Sequence, residues 1–235
     1  MKYTTTLIKK EEIADGTMAF HFTKPEGFIY KAGQFLDWKI LNPKEDDTEG
    51  PLRAFSILTA PHEDDIAFAT RMRDTAFKRN LKNRDEVEME LDGPIGSFVL
   101  HQNTERKAVF LIGGIGITPV YSIIQDASHN NLPHKLTLFY SNRKKKDAAL
   151  FKELEICQKS YPNFTFVPTF TEEEESWNGE KGYMDEDMIK RHVPDINNVV
   201  WYISGPQAMV GAMRKLLNDM KVSEDDIKTE EFSGY

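Results

Sequence analysis

Cysteine is almost absent from the sequence: Cys157 is the single one among 235 residues. One thiol excludes an intrachain disulfide and any zinc or iron–sulfur site built from four cysteines. Long hydrophobic runs are absent too, since the best one, at 109–112, is far shorter than the ~18 apolar residues of a membrane span. The N-terminus also lacks the apolar core of a signal peptide. These features predict a cytoplasmic protein without a transmembrane segment.

Basic residues are in the minority, with 30 Lys and Arg against 38 Asp and Glu and a formal net charge of −8. The excess is spread evenly over both halves of the chain, so no basic lobe or tail is available for nucleic acid. Hydrophobic residues make up 40% and charged residues 29%, which is typical of a globular protein and excludes a mainly disordered chain. The length favours one to two domains.

Residues 1–102 have the pattern of a small antiparallel β-barrel, because short strand-like segments alternate with Gly and Pro turns. The predicted strands are Thr5–Lys9, Thr17–Thr23, Gln34–Leu41, Ala54–Leu58, Ile66–Met72 and Glu86–Leu91. An acidic stretch at 45–49 is interpreted as a solvated loop, with a partner-binding site as the alternative.

Residues 103–235 have a different rhythm, in which buried-looking strands alternate with helical patterns. The predicted strands are Val109–Ile112, Leu136–Tyr140, Phe164–Phe166 and Val199–Ile203, and the helices are Pro119–Ser128, Ala148–Ser160, Glu186–His192 and Pro206–Met220. This alternation predicts an α/β domain with a parallel sheet and helices on both faces. Met209, Met213, Leu216 and Met220 share one helix face and are interpreted as core, and Cys157 as a buried thiol.

A glycine-rich turn at 113–116 lies between the strand 109–112 and a helix opened by Thr118 and Pro119. Glycines let backbone N–H groups approach an anion, and a helix N-terminus adds further donors, so the segment is typical of a phosphate cradle. A purely structural turn is the alternative. Pro119 stands where the Rossmann pattern has its third glycine, and the lysine of a P-loop is absent. Gly116→Glu is expected to block phosphate binding here.

Five segments together resemble the ferredoxin-NADP reductase superfamily, in that family's order along nearly the whole chain. They are Arg-Ala-Phe-Ser at 53–56, Asp-Gly-Pro-Ile-Gly-Ser-Phe at 92–98, Gly-Gly-Ile-Gly-Ile-Thr-Pro at 113–119, Ser-Gly-Pro-Gln-Ala-Met at 204–209 and Glu-Glu-Phe-Ser-Gly-Tyr at 230–235. The resemblance implies a two-domain fold, with an N-terminal Greek-key flavin barrel and a C-terminal domain that binds NAD(P).

The resemblance also implies roles in flavin binding. Residues 53–56 match the flavin motif, in which Arg53 would lie at the pyrophosphate, Phe55 would stack on the flavin and Ser56 would bond its N5; Ala54 is also expected to bind the cofactor. A surface salt bridge is the alternative for Arg53. Phe replaces the family's Tyr and loses one hydroxyl hydrogen bond. The strand residues expected beside the flavin are Thr70, Arg71 and Met72.

The family's Gly-x-x-Ser/Thr turn for the FAD pyrophosphate is missing after that strand. The chain has Asp-Thr-Ala-Phe-Lys-Arg at 74–79 instead. Lys78 or Arg79 would supply positive charge in its place, with a solvated helix face as the alternative. This departure leaves FAD favoured and FMN open.

On the nucleotide side, the resemblance implies that Gly114, Gly116, Thr118 and Pro119 hold the pyrophosphate of a nicotinamide nucleotide. After the second parallel strand, Ser141 and Arg143 favour the 2′-phosphate of NADPH slightly over NADH. The basic run 143–146 has two alternatives, a solubilising loop or a docking site for an acidic electron carrier.

The nicotinamide ring is expected near the end of the last predicted strand. There Ser204 stands where the family usually has Cys, followed by Gly205 and Pro206. Glu230 is assigned a catalytic role together with Ser56 and Ser204. The aromatic residue that covers the flavin is either Phe232 or the terminal Tyr235, and the sequence leaves that choice open.

The function implied is an FAD-dependent NAD(P)H oxidoreductase without a metal or a covalent nucleophile. Without four further cysteines for a fused ferredoxin domain, the electron acceptor would be external: a ferredoxin, flavodoxin, cytochrome, oxygenase component or small oxidant. The alternative is a flavin- or nucleotide-binding electron-transfer or regulatory subunit of a larger complex.

Overall fold

A computed structural model describes residues 2–172 and 177–232. The first half forms a six-stranded antiparallel sheet that curls into a half-barrel with strand order β4-β3-β6-β1-β2-β5. Its strands are β1 (Lys2–Ala14), β2 (Thr17–Thr23), β3 (Phe35–Ile40), β4 (Leu52–Ser56), β5 (Asp65–Arg71) and β6 (Glu88–Ile95), and helix α1 (Ala76–Asn83) precedes β6. The predicted antiparallel barrel is confirmed.

The barrel has a seam between β4 and β5, the two end strands of the sheet. Side chains bridge this seam, because the Phe55 ring stacks on the Phe68 ring at 4.2 Å. Beyond the end of β4, the Leu58 N–H donates to the Ala67 carbonyl at 2.7 Å. The rest of the seam leaves the facing edges of both strands available to line a cavity.

The second half is a six-stranded parallel sheet with order β10-β9-β8-β7-β11-β12. Its strands are β7 (Lys107–Gly113), β8 (Leu136–Asn142), β9 (Phe164–Phe170), β10 (Glu180–Lys181), β11 (Val199–Pro206) and β12 (Ile227–Phe232), and its helices are α2 (Ile117–His129), α3 (Phe151–Ser160), α4 (Glu186–His192) and α5 (Gln207–Asp219). The central strand β7 is buried along 108–113 because helices cover both faces of the sheet. From β7 the chain adds β8, β9 and β10 on one side of the sheet, and it then returns to the other side of β7 to add β11 and β12. Ligands bind at such a switch point in open α/β sheets.

Most predicted elements are present, and four details differ. Arg53 lies inside β4 rather than before the strand. Helix α1 was not predicted, and neither were the two-residue strand β10 and strand β12, which pairs in parallel with β11. Cys157 is buried as expected, and the methionine face of α5 packs against the sheet, with Met213 buried and Met209 partly exposed. No helix in 2–172 or 177–232 combines the length and apolar character needed to cross a bilayer.

The two halves are joined by a buried polar contact around the Tyr202 hydroxyl. This oxygen accepts from the His101 N–H at 2.9 Å and donates to the Val99 carbonyl at 3.2 Å. On α2, the Ser122 hydroxyl donates to the Thr59 carbonyl at 2.6 Å. These bonds fix how the barrel meets the parallel sheet, and so they set the shape of the cleft between them.

Tyr202→Phe is expected to lower the free energy of unfolding by about 1–2 kcal/mol, because it leaves the His101 N–H without an acceptor in a part-buried contact. Chemical denaturation measures this difference. Tyr183→Phe is the matched control, since Tyr183 is 81% exposed and its hydroxyl is expected to contribute nothing measurable. Equal stabilities of the two variants would contradict the structural role of Tyr202.

Candidate functional site

A cavity of about 630 Å³ lies against the seam of the barrel, within the ~300–1,000 Å³ typical of small-molecule sites. Strands β4 and β5, the start of α1, the turn before α2 and the end of β12 all contribute to its walls. The lining residues are Glu49, Arg53, Ala54, Phe55, Ser56, Ala69, Thr70, Arg71, Arg73, Thr75, Lys78, Ile115, Thr118 and Phe232. We call this space the barrel cavity.

Ser56, in the wall of the barrel cavity, contacts Glu230, although the two are 174 positions apart. The Ser56 hydroxyl donates to Glu230 Oε1 at 2.9 Å. The other carboxyl oxygen, Oε2, is buried and has no hydrogen-bond partner among the described residues. Burial raises the pKa of Glu230 to about 7, and the bond from Ser56 opposes this shift only in part. The carboxyl can therefore hold or release a proton near neutral pH.

Lys78 places a positively charged side chain in the wall of the barrel cavity. Its Nζ donates to the Arg71 carbonyl at 2.6 Å and forms no salt bridge with a described carboxylate. Burial, followed by repulsion from Arg73 and Arg53, lowers the pKa of Lys78 to about 8, and Glu49 acts more weakly in the opposite sense. Placing cations side by side in a half-buried wall is costly unless an anion joins them.

A second cavity of about 790 Å³ opens at the carboxyl ends of the parallel strands, and we call it the sheet cavity. Its walls come from the turn after β7, the loops after β8 and β9, one face of α5 and the barrel residues Thr17 and Arg71. They include Gly113, Gly114, Ile115, Ser141, Asn142, Arg143, Asp147, Thr171, Tyr183, Met184, Asp185, Pro206, Met209 and Met213. This cavity lies at the topological switch point, where the fold favours nucleotide binding.

The glycine turn after β7 is packed too tightly for side chains. A Cβ on Gly116 would lie 2.5 Å from the Ser204 carbonyl oxygen, and one on Gly113 would lie 2.2 Å from the Met209 sulfur. Gly116 therefore faces the end of β11. The expectation that Gly116→Glu acts by blocking phosphate is corrected: any side chain here first displaces the Ser204 backbone.

Ser204 and Glu230 lie side by side in the parallel ladder, where they are Cα partners on β11 and β12. Ser204 is fully buried, and its hydroxyl oxygen has no hydrogen-bond partner within the described part of the chain. Most buried polar atoms in folded proteins have a partner. Two unpartnered oxygens at neighbouring positions, at the carboxyl end of the strands, are the arrangement expected where a polar ligand completes the site.

The two cavities adjoin each other and are together called the cleft, because Arg71 and Ile115 line both. Arg71 comes from the barrel and Ile115 from the glycine turn, so the junction lies between the halves of the molecule. Ser56, which lines the barrel cavity, also links the two halves through its bond to Glu230. Ligands seated in the two cavities would therefore approach each other at Arg71 and Ile115.

The structure brings most of the predicted site residues to this cleft. Those lining the barrel cavity are Arg53, Ala54, Phe55, Ser56, Thr70, Arg71, Lys78, Thr118 and Phe232, and those lining the sheet cavity are Gly114, Ser141, Arg143 and Pro206. Ser204, Gly205 and Gly116 lie directly beneath, where the end of β11 contacts the glycine turn.

Glu230 lines neither cavity and is linked to the barrel cavity through its bond to Ser56, and two further predicted residues lie away from the cleft. Met72 packs against the barrel core, and Pro119 is buried in the first turn of α2. Tyr235, the rival of Phe232, lies outside the described residues. Arg73 was missed, although it adds positive charge to the barrel cavity. Its position two residues after the strand residue Arg71 was the available signal.

The basic run after β8 serves mainly local contacts. Lys146 Nζ lies 2.7 Å from the Asp15 carboxylate on the barrel, and Lys144 pairs with Glu172 at 3.2 Å. Lys145 lies over the Phe151 ring at 4.6 Å. Arg143 is the member of the run that lines the sheet cavity. Its side chain is 62% exposed and lies 3.6 Å from Asp147.

Comparison with known proteins agrees with this geometry. Residues 110–215 match the family described as the oxidoreductase NAD-binding domain. The chain is 29% identical over 182 residues to NADH-cytochrome b5 reductase 2 of Mycosarcoma maydis, covering 72% of this chain and 51% of the relative. It is 24% identical over 238 residues to the phenol hydroxylase P5 protein of Acinetobacter pittii, covering 98% of this chain and 65% of that protein. The chain thus spans half to two thirds of the length of these relatives.

Among solved structures, the fold matches a ferredoxin NADP+ reductase from Neisseria gonorrhoeae with bound FAD and NADP. The TM-score is 0.81 at 19% identity, and the match covers 98% of both chains. A likeness at this level of identity shows the fold. The chain therefore has the two-domain fold of this reductase, and residues 110–215 are similar to an oxidoreductase NAD-binding domain.

Proposed function

We propose that the protein is a flavin-dependent NAD(P)H oxidoreductase. Residues 1–102 would hold FAD in the barrel cavity, and residues 103–235 would bind the nicotinamide nucleotide in the sheet cavity. The observation that carries the proposal is the pair of adjoining cavities, which share Arg71 and Ile115, with the Ser56–Glu230 hydrogen bond linking the wall of the barrel cavity to the end of the parallel sheet. Adjoining binding spaces for two planar rings suit transfer between them.

The residues of the barrel cavity fit a flavin nucleotide. Phe55 has one ring face stacked on Phe68 at an interplanar angle of 2° and lines the cavity, so it offers an aromatic surface to a planar ring. Ser56 offers a hydroxyl, and Phe232 forms part of the wall near the end of β12. The unneutralised Lys78 fits the anionic end of such a molecule.

A bound flavin would supply the redox chemistry, by accepting a hydride from the reduced nicotinamide and releasing the electrons singly or in pairs. The chain's own residues provide position and proton control. The close packing of Gly116 against the Ser204 backbone fixes the position of the end of β11. The buried Ser204 hydroxyl at this point is proposed to orient the nicotinamide. Ser56 holds Glu230 in place through Oε1. Glu230 is proposed to carry a proton on Oε2, because its pKa of about 7 lets it donate and recover one at neutral pH.

The electron acceptor is proposed to be a separate protein or a small oxidant. The two curated relatives are named for cytochrome b5 reduction and for phenol hydroxylation. A one-electron carrier or an oxygenase component therefore suits this chain, and the net acidic charge favours an acceptor with a basic docking face. Reductase assays with cytochrome c and with ferricyanide measure this capacity.

The proposal requires stoichiometric flavin and reduction of an artificial acceptor by the purified protein. Flavin is released by denaturation and quantified, and NAD(P)H-dependent ferricyanide reduction is then followed. Bound flavin without turnover would favour the electron-transfer subunit instead. Failure to retain or take up flavin would refute the assignment of the barrel cavity.

We further propose a preference for NADPH, which depends on Arg143. Arg143→Gln is expected to lower kcat/KM for NADPH about 10-fold and to change that for NADH less than about threefold, because only NADPH carries the 2′-phosphate. Lys144→Gln is the matched control, since Lys144 is paired with Glu172. Equal losses of kcat/KM with NADPH and NADH would show that Arg143 does not bind the 2′-phosphate.

A further inference from the structure

Arg53 is bonded mainly to its own loop. Its Nη1 donates to the carbonyls of Gly50 at 2.8 Å and Leu52 at 2.7 Å, and its Nη2 contacts the Glu49 carboxylate at 2.6 Å. The guanidinium also lies over the Phe77 ring at 5.4 Å. Three of its five N–H groups are thus directed at acceptors of the loop, which turns most of the planar fork away from a ligand. Arg53 therefore closes the acidic loop at 45–50 onto β4.

The start of α1 is occupied in the same way. Asp47 Oδ2 accepts from the Ala76 N–H at 2.9 Å, and this bond lowers the pKa of Asp47. The Thr75 hydroxyl accepts from the Lys78 N–H at 3.4 Å. The helix N-terminus, a common phosphate site, is thus partly satisfied from within. The acidic loop therefore bonds both to the Arg53 guanidinium and to one N–H at the start of α1, two groups that could otherwise bind a diphosphate.

Arg73 and Lys78 are two further cations in the wall of the barrel cavity, and Arg71 lies where this cavity adjoins the sheet cavity. The Arg73 side chain is exposed, lines the cavity and makes no ion pair or side-chain hydrogen bond with any described residue. Lys78 is half-buried beside it, and each cation disfavours the charge of the other. A polyanion between them would remove this repulsion, which neither Glu49 nor Asp47 does, because both are committed to Arg53 and α1.

We propose that Arg73 and Lys78, rather than Arg53, hold the diphosphate of FAD, and that Arg53 is a positioning residue that fixes the loop at 45–50. This inference rests on the proposed flavin function. It explains how the chain dispenses with the Gly-x-x-Ser/Thr turn. A planar guanidinium can bind two phosphate oxygens at once, and an adjacent ammonium adds a second charge.

The test compares FAD with riboflavin, which lacks the diphosphate, in titrations of flavin-free protein. Arg73→Gln is expected to raise the Kd for FAD about 10-fold or more, which corresponds to one charge-assisted contact. The Kd for riboflavin should change less than about twofold. Lys82→Gln removes the same charge from the exposed far end of α1 and should change neither. Unchanged FAD affinity in Arg73→Gln would overturn the inference.

A wild-type protein that binds neither flavin would defeat the proposed function itself, which separates that failure from failure of the inference. Arg53→Gln is expected to loosen the loop at 45–50 and so to weaken the binding of FAD and of riboflavin by similar factors. If Arg53→Gln weakened FAD alone, Arg53 would be the diphosphate ligand after all.

The number of protons taken up when FAD binds tests the role of Lys78 independently of the affinity for FAD. In the free protein the groups facing its ammonium are Arg73, Arg53, Glu49 and the Arg71 carbonyl. A bound diphosphate raises the Lys78 pKa, so calorimetric FAD binding near pH 8.5 should take up about half a proton or more. Lys78→Met should abolish the uptake. The same uptake in wild type and Lys78→Met would contradict the assignment.

Discussion

Gly116→Ala is expected to lower kcat/KM for reduced nicotinamide nucleotides by about 100-fold or more, while bound flavin is retained. The backbone φ of Gly116 is −57°, so alanine is conformationally acceptable and the effect arises from space alone. Its Cβ would lie 2.5 Å from the Ser204 oxygen and 2.7 Å from the Gly205 nitrogen. The end of β11 must then shift by about an ångström, a misplacement that costs about 100-fold in rate when ring geometry controls transfer.

Gly211→Ala is the control for Gly116→Ala. Gly211 lies on α5, where an added Cβ meets nothing within 4 Å. Helix propensity then predicts a gain of up to about 1 kcal/mol in stability with unchanged activity. Transient kinetics and nucleotide titration separate binding from transfer, and the visible spectrum reports retention of flavin. Full activity in Gly116→Ala would refute the role given to the Gly116–Ser204 contact.

Glu230→Gln is expected to slow turnover about 100-fold at pH 7 and to flatten its pH dependence between about pH 6 and 8. The amide oxygen can still accept from Ser56, but the group no longer titrates. In the wild type, turnover that needs protonated Glu230 declines above its pKa of about 7. Glu231→Gln, at the exposed neighbouring position, should leave rate and pH profile intact. An unchanged profile in Glu230→Gln would exclude Glu230 as the proton carrier.

The pH dependence of the free energy of unfolding gives a second test of the raised pKa of Glu230. Its pKa is higher in the folded state, about 7 against the ordinary 4.5, so the unfolded chain releases this proton first as pH rises. The contribution of this carboxyl is therefore most favourable below about pH 4.5, and stability falls as pH rises toward 7. The loss is on the order of 2–3 kcal/mol. Glu230→Gln should lack this decline in flavin-free protein, as measured by denaturation at several pH values.

Much of the fold was predictable because each half has one dominant periodicity. Turn residues divide the barrel strands, and the buried runs 109–112 and 199–203 could only belong to a covered parallel sheet. Helix α1 was not predicted because its buried residues, Ala76, Phe77, Asn80 and Leu81, include a polar one. Strand β12 was not predicted because its residues alternate only weakly between buried and exposed, and because its position depends on pairing with β11.

The candidate site was predictable where motifs are local and not where contacts are long-range. The glycine turn and residues 53–56 could be assigned as segments. The Ser56–Glu230 bond joins the two halves of the chain, and no local pattern indicates it. The acidic stretch at 45–49 was interpreted as a solvated loop, yet its carboxylates bind Arg53 and the start of α1. Sequence shows which charges exist, but folding decides which of them neutralise each other.

Anaerobic mixing of the flavin-loaded protein with NADPH, and separately with NADH, tests the central claim most directly. The visible absorption of the flavin is followed through a single turnover. We predict rapid bleaching by one equivalent of nucleotide, faster with NADPH, and slow or no bleaching in Gly116→Ala. Flavin that stays oxidised with both nucleotides would contradict the account, because the two cavities would then not bring their ligands together.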